Sequence, residues 1–78
     1  MKIFVELNLF LQEYLPKDST NPFELEIKNN STYKAILLIL GIPMDLHPLI
    51  LVNEKIVAED YILREQDRVS FFPPLGGG

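Results

Sequence analysis

The sequence predicts one α+β domain in which a single helix packs against a mixed, four- to five-stranded sheet. Segments that alternate apolar and polar residues, the pattern of half-buried strands, lie near both ends of the chain. Between them is one apolar segment with helical spacing, preceded by Ser31-Thr32 and followed by Gly41. A chain of 78 residues is short enough that all of these elements have to share one hydrophobic core.

The N-terminal part of the chain predicts two strands joined by a short helix and a loop. Residues 2–8 form the first strand, residues 9–15 one or two helical turns, residues 16–22 a polar loop and residues 23–28 the second strand. The side chains expected to face inward are Ile3, Val5 and Leu7 on the first strand and Phe23, Leu25 and Ile27 on the second. The two strands are expected to be antiparallel.

Residues 33–40 predict the main helix. Ser31 or Thr32 is a natural N-cap, and Gly41 ends the helix. The helical spacing selects one core stripe, formed by Tyr33, Ile36, Leu37 and Leu40.

Leu38 and Ile39 fall outside this stripe and have two interpretations. The simpler one is that neighbouring loops cover them, and the functional one is that they contact a partner or a second copy of the chain.

The C-terminal part predicts three further strands. Residues 49–52 are continuously apolar, which suits a strand buried on both faces. Asn53-Glu54 then predicts a tight turn into residues 55–58, and residues 61–63 a short turn or 3₁₀ helix. In the last strand, residues 68–72, Val69 and Phe71 are expected to face inward and Ser70 and Phe72 outward.

This order of elements is the plan of a β-grasp domain. The helical crossover allows a later strand to pair parallel with an earlier one, which gives a mixed sheet. We expect a single domain over residues 1–72, followed by an extended flexible C-terminal tail over residues 73–78.

Composition and charge exclude several classes of protein. The net charge of −4 has no basic cluster to offset it, so nucleic-acid binding is not expected. No signal-peptide core follows Met1, and no apolar run is long enough to span a bilayer, so the sequence predicts a cytoplasmic protein without a membrane partner. The chain has no cysteine, which removes disulfides, thiolate metal sites and cysteine nucleophiles.

The sequence also lacks a recognisable catalytic constellation. Its one histidine, His47, lies in a proline-flanked loop and is interpreted as a surface residue, not a metal ligand. The adjacent acidic pairs are interpreted as solvated surface groups; they are Glu24 and Glu26, Glu59 and Asp60, and Glu65 and Asp67. A self-sufficient enzyme is therefore not expected, and no cofactor is assigned to the chain.

The ending "FFPPLGGG" is the most informative segment. Pro73 and Pro74 favour an extended, stiff exit from the last strand, which lowers the entropy lost on docking. Glycines without side chains can pass through a channel too narrow for other residues. The reactive group at this end is the α-carboxylate of Gly78.

With these features in place, the chain resembles the MoaD/ThiS family of ubiquitin-like sulfur carriers. "LFLQEYLP" is similar to the stretch after their first strand, "STYKAILLILGIP" to their capped helix, "LVNEKIV" to their hairpin and "LREQDRVSFFPP" to their last turn and strand. The chain looks most like the small subunit of molybdopterin synthase. When the tail is aligned with the usual ending of that subunit, Gly77-Gly78 corresponds to its functional Gly-Gly pair. Gly76 then replaces an alanine.

The resemblance implies a chemical role for the tail. An E1-like enzyme, using ATP and magnesium, would adenylate the carboxylate of Gly78, and a persulfide donor would convert it to a thiocarboxylate. A synthase would then accept the sulfur: either the molybdopterin synthase large subunit or thiazole synthase. Gly76 and Gly77 would provide a thin approach, and Phe72 and Leu75 would contact partners. The alternative for Phe72 is packing against a neighbouring loop.

Two positions depart from the family pattern, and other functions stay open. Gln66 stands where glycine is common, and Glu54 follows Asn53 where the family has Asn-Gly. Both substitutions are expected to affect backbone strain in a turn more than the chemistry of the tail. The alternatives to a molybdenum or tungsten cofactor route are a thiamine thiazole carrier, a ubiquitin-like modifier that attaches Gly78 to lysines, and an interaction module without tail chemistry.

Overall fold

The computed structural model describes residues 1–74, and residues 75–78 are outside the described part of the chain. It contains the predicted five strands and main helix: β1 (Lys2–Leu7), β2 (Phe23–Glu26), α1 (Tyr33–Leu40), β3 (Leu49–Val52), β4 (Lys55–Ile56) and β5 (Arg68–Phe72). Two 3₁₀ helices, Leu9–Tyr14 and Met44–Leu46, follow β1 and α1. The prediction of a mixed sheet with one main helix is confirmed.

The strands form one sheet in the order β2-β1-β5-β3-β4. The two central strands β1 and β5 are parallel, with Val5 opposite Val69 and Leu7 opposite Phe71. The other pairings are antiparallel. The C-terminal strand therefore lies in the middle of the sheet, although it is the last to be added along the chain.

One face of the sheet and the helix α1 enclose the core. The predicted alternation of β1 is confirmed, because its three inward side chains are fully buried. The rings of Tyr33 and Phe71 lie 6.4 Å apart, which joins the start of the helix to the central strand. The buried core comprises Ile3, Val5, Leu7, Leu11, Phe23, Ile27, Ile36, Leu37, Ile42, Val52, Leu63, Val69 and Phe71.

The ends of α1 are set by the residues that the sequence indicates. The Thr32 side chain accepts a hydrogen bond from the backbone N–H of Lys34, which makes Thr32 the N-cap. Gly41 has a φ of 77°, in the left-handed region that glycine adopts without a Cβ clash. This turn allows the Ile42 N–H to donate to the Leu37 carbonyl at 2.9 Å.

The prediction that residues 49–52 are buried on both faces is wrong. Val52 is buried, but Leu49 is exposed and Leu51 is half-buried. The reason is that α1 packs against the inner face only. Half of this apolar strand therefore lies on the outer face.

Three predicted boundaries also change. β2 ends at Glu26, although Ile27 remains buried and its N–H donates to the Met1 carbonyl. β4 spans only Lys55–Ile56 instead of residues 55–58. Residues 61–63 form no helical turn, because the Leu63 N–H donates outward to the Ser31 carbonyl at 2.8 Å.

The expectation that loops cover Leu38 and Ile39 is wrong as well. Leu38 is 73% exposed and Ile39 is 54% exposed, on the side of α1 away from the sheet. The eight-residue helix is apolar nearly all round, but only one of its sides finds a surface within the described residues to pack against.

Candidate functional site

The outer face of the sheet carries an apolar area beside the end of β5. The register places Leu49 opposite Phe72, and Leu51 opposite both Ser70 and Ile56. Ile56 is 75% exposed, whereas Phe72 and Leu51 are half-buried by their neighbours. We call Leu49, Leu51, Ile56 and Phe72 the outer-face patch. Its apolar surface is available to a protein that can remove it from water.

The other half of the outer face carries charged side chains around the half-buried Phe4. Lys2 Nζ lies 3.6 Å from Glu24 Oε2 on the neighbouring strand. The Ser70 hydroxyl donates to Glu6 Oε1 at 3.0 Å. Exposed ion pairs contribute little to stability, typically about 0–1 kcal/mol. These polar groups make the outer face asymmetric, with one charged half and one apolar half. The chain leaves the sheet beside the apolar half.

The structure tests the predicted tail residues only in part. Phe72 points to the outer face, as predicted, and lies opposite Leu49. Pro73 is buried and Pro74 is exposed. Residues 75–78 lie outside the described part of the chain. The partner contact of Phe72, the roles of residues 73–78 and the division between domain and tail stay predictions.

Sequence reasoning missed a second apolar surface close to the chain exit. Leu9 is 69% exposed and Phe10 is 55% exposed, at the start of the 3₁₀ helix that follows β1. Only Leu11 of this helix is buried. We call Leu9 and Phe10 the β1 shoulder. The sequence did carry a signal, because three adjacent apolar residues in a short helix cannot all face one core.

The opposite end of β5 is fixed by a buried carboxylate, which corrects the interpretation of Glu65 and Asp67 as a solvated pair. Asp67 is only 6% exposed. It accepts hydrogen bonds from Asn53 Nδ2, the Tyr61 hydroxyl and the Arg64 N–H, at 2.9 to 3.1 Å. We call these contacts the Asp67 network. It joins the β3–β4 turn to the loop before β5.

Two tyrosines near these elements have shifted acidity. Burial raises the pKa of Tyr61, and its hydrogen bond to Asp67 raises it further. Burial also raises the pKa of Tyr33, with a further contribution from the charge of Glu59. Because both shifts move away from neutral pH, these phenols stay protonated and do not act as bases there.

The remaining candidate groups are the histidine and the side chains that could bind a metal ion. His47 is exposed, as predicted, and ends the second 3₁₀ helix with a φ of 50°. In this part of the chain no three His, Cys, Asp or Glu side chains are grouped as metal ligands would be. None of its helices has the length and apolar character required to cross a bilayer.

Together, the strand order, the parallel central pair and the single helix define a ubiquitin-like β-grasp domain. The chain belongs to the ThiS family, whose family model matches residues 5–78. The resemblance stated from the sequence is thereby confirmed. No curated protein matches the chain.

Solved structures with the same fold include SAMP1 and subunits of molybdopterin converting factors. SAMP1 from Haloferax volcanii aligns over 100% of both chains with a TM-score of 0.71 and 17% identity. A putative molybdopterin converting factor subunit 1 from Pyrococcus furiosus covers 95% of this chain and 98% of its own, with a TM-score of 0.71 and 18% identity. A chain from a complex of subunits 1 and 2 of the Helicobacter pylori molybdopterin-converting factor also aligns. The alignment covers 100% of both chains, with a TM-score of 0.58 and 19% identity. At these identities the likeness concerns the fold.

Proposed function

We propose that this chain is a sulfur carrier whose Gly78 carboxylate is adenylated by an E1-like enzyme and then converted to a thiocarboxylate. The observation that carries the proposal is the ThiS-family match, which extends through the glycine tail to Gly78. The chain would act as a co-substrate and not as a catalyst.

The structure supports this proposal through the position of the chain exit. β5 is held between two strands, so the direction in which the chain leaves Phe72 is fixed by the sheet. The outer-face patch lies directly beside that exit. A partner that covers the patch would have the tail delivered to it in a defined orientation, which lowers the entropic cost of reaction.

The proposed chemistry needs no side chain of the carrier. An oxygen of the Gly78 carboxylate attacks the α-phosphorus of ATP, and pyrophosphate leaves, with magnesium supplied by the activating enzyme. The terminal sulfur of an external persulfide then attacks the acyl carbon and AMP leaves. A thiol reductant cleaves the resulting acyl disulfide and releases the thiocarboxylate. Adenylation is required because a free carboxylate has no good leaving group.

We place the sulfur acceptor in molybdenum or tungsten cofactor synthesis. This choice is supported by the tail sequence, in which Pro73-Pro74-Leu75 aligns with molybdopterin-type carriers, and by fold neighbours named as molybdopterin converting factor subunits. The partner would be the large synthase subunit, as the Helicobacter pylori complex of two subunits suggests. A thiazole synthase would be the acceptor in the thiamine alternative.

A ubiquitin-like modifier is the second candidate, favoured by the fold neighbour whose name is small archaeal modifier protein 1. The modifier uses the same activation step. It differs in the last step, because a lysine amine attacks the activated Gly78 and forms an isopeptide bond.

Intact mass spectrometry would test the proposal after the protein has been mixed with its host's E1-like enzyme, ATP, magnesium and a sulfur donor. The expected result is a mass gain equal to exchange of one oxygen for one sulfur, absent from a variant that lacks Gly78. Adding the candidate acceptor should then return the carrier to its original mass.

Other outcomes would change the conclusion. A covalent adduct with a second protein would favour the modifier. If the enzyme activates a known carrier but leaves this chain unchanged, activation of Gly78 is refuted. An interaction module would then remain, and deleting Gly77-Gly78 should leave its function intact.

A further inference from the structure

We propose that the β1 shoulder, Leu9 and Phe10, contacts an apolar surface of the activating enzyme beside the place where that enzyme takes up the tail. This inference rests on the proposed function, and it adds a contact site outside the outer-face patch. It also assigns a role to two residues that the fold itself does not use.

Leu9 is unfavourable for the isolated domain. Its side chain is more than two-thirds exposed, so its burial contributes little to the core. Its φ of 54° lies in the left-handed region, where a leucine is strained and asparagine or glycine is far more common. No side chain caps the helix that it begins. A strained and exposed apolar residue points to a function outside the folded chain.

The β1 shoulder lies at the edge of the sheet where β5 ends. β1 and β5 are parallel, so both strands end at the same edge, and Leu7 lies opposite Phe71. Asn8 then joins the end of β1 to the end of β5, because its backbone N–H and its side-chain Nδ2 both donate to the Phe71 carbonyl, at 3.1 and 2.9 Å. The shoulder begins at the next residue. It therefore flanks the place where the C-terminal chain leaves the sheet.

The tail has a short reach. Four residues follow Pro74 in the sequence, and four residues span at most about 14 Å when fully extended. An enzyme that brings ATP to the Gly78 carboxylate therefore has to approach the exit within that distance. Its surface would cover the residues around the exit, including the β1 shoulder. Exposed apolar side chains at that place are best matched by an apolar surface.

We assign the activating enzyme as the protein that contacts the β1 shoulder, because both candidate functions require it. A sulfur carrier and a protein modifier pass through the same adenylation, whereas their later partners differ. The chain also provides a matched control in Leu38 and Ile39, whose exposures are close to those of Leu9 and Phe10. These two residues lie on α1, which packs against the inner face of the sheet.

The experiment compares a Leu9→Asn/Phe10→Ser variant with a Leu38→Ser/Ile39→Ser variant and the unaltered protein. The initial rate of pyrophosphate release by the host E1-like enzyme is measured against carrier concentration. For the shoulder variant we expect KM to rise about tenfold or more with little change in kcat, because binding is lost while Gly78 is intact. For the α1 variant we expect KM within about twofold of the unaltered protein, as for residues outside an interface.

Folding is controlled by choice of substitution. Asparagine tolerates the left-handed backbone of residue 9, and residue 10 is mainly exposed, so the shoulder variant should keep its fold. Its circular dichroism spectrum and urea midpoint should match or exceed those of the unaltered protein. A Phe10→Ser single variant is the second test, and its KM should rise less than that of the double variant.

The outcomes separate the inference from the function on which it rests. An unchanged KM for the shoulder variant, with the unaltered protein activated normally, would overturn the inference alone. The same would follow if the α1 variant lost activation equally, or if the shoulder variant failed only in transfer to the acceptor. No activation of the unaltered protein would overturn the proposed function and this inference together.

Discussion

The two ends of β5 are built in opposite ways. Before the strand, the Asp67 network occupies both oxygens of a buried carboxylate, and within residues 1–74 no buried side-chain nitrogen or oxygen lacks a partner. After the strand, Phe72 and the β1 shoulder leave apolar surface in water. The first end uses polar groups to hold the fold together. The second end keeps apolar groups available for contact with another protein.

This difference separates stability from recognition along a strand of five residues. Substitutions before β5 should change the free energy of unfolding and leave partner affinity unaltered in the molecules that remain folded. Substitutions of the exposed apolar side chains at the end of β5 and on the β1 shoulder should weaken partner binding without lowering the free energy of unfolding. The following predictions test that division, beginning with the largest effect.

Asp67→Ala should lower the free energy of unfolding by about 2–4 kcal/mol, because it removes a buried carboxylate and leaves the part-buried donors of Asn53, Tyr61 and Arg64 without their acceptor. Urea denaturation followed by circular dichroism measures this change. Glu65→Ala is the matched control, since Glu65 is exposed and accepts one hydrogen bond among the described residues, from the Lys2 N–H; its effect should stay within about 0.5 kcal/mol. Equal effects of the two substitutions would contradict the role of the network.

Phe72→Ser should weaken binding to the activating enzyme by about tenfold, or about 1.4 kcal/mol, because the outer-face patch loses its ring beside the tail exit. Isothermal titration with the enzyme in the absence of ATP provides the dissociation constant. Ile39→Ser on α1 should leave that constant nearly unchanged. A loss of stability without a loss of affinity would instead support the alternative that Phe72 packs for the fold.

Tyr61→Phe should lower the free energy of unfolding by about 1 kcal/mol at pH 8, through loss of the hydrogen bond to Asp67. The folded pKa of Tyr61 is raised above its ordinary value of 10.0, so the stability linked to its protonated form is fully present below pH 10. It is lost as the pH rises through the folded pKa. The difference between the unaltered protein and the variant should therefore shrink above pH 10 in urea unfolding, and a constant difference would contradict the linkage.

Gln66→Gly should raise the free energy of unfolding by about 0.5–1 kcal/mol, because Gln66 has a φ of 67° and glycine removes the Cβ strain. Its partner affinity should not change. Leu9→Asn should give a similar gain in stability, but with weaker activation. Thermal unfolding and the pyrophosphate assay on both variants therefore compare two strained residues at opposite ends of β5. Weaker activation by Gln66→Gly would break the division.

The sequence predicted the elements whose patterns depend on local physics. Strict alternation in residues 2–8 and the cap and stop residues of α1 gave the correct faces and ends. The continuous apolar run at residues 49–52 misled, since apolar periodicity cannot distinguish a strand covered on both faces from one with a recognition face. The alternation in residues 68–72 also gave the correct bounds of β5.

The parts that could not be predicted depend on contacts between distant residues. The burial of Asp67 involves the β3–β4 turn, from which Asn53, 14 residues earlier in the chain, donates to the carboxylate, and no pattern around residue 67 reveals that contact. The β1 shoulder depends on the parallel pairing of strands more than sixty residues apart in sequence. Leu38 and Ile39 were expected to be covered because the missing cover could be seen only after the fold was known.

The central position of β5 has a mechanical consequence. A force applied to the C-terminal chain, as when a motor protein draws on it, acts along β5 while β1 and β3 hold the strand on both sides. The parallel ladder between β1 and β5 is then loaded in shear, so several hydrogen bonds bear the force together, and the bonds are not opened one after another. Asn8 adds a clamp to the same carbonyl of Phe71 at the pulled end. The force needed to unfold the domain by pulling on its C-terminal chain should therefore be higher than expected for a domain of this size.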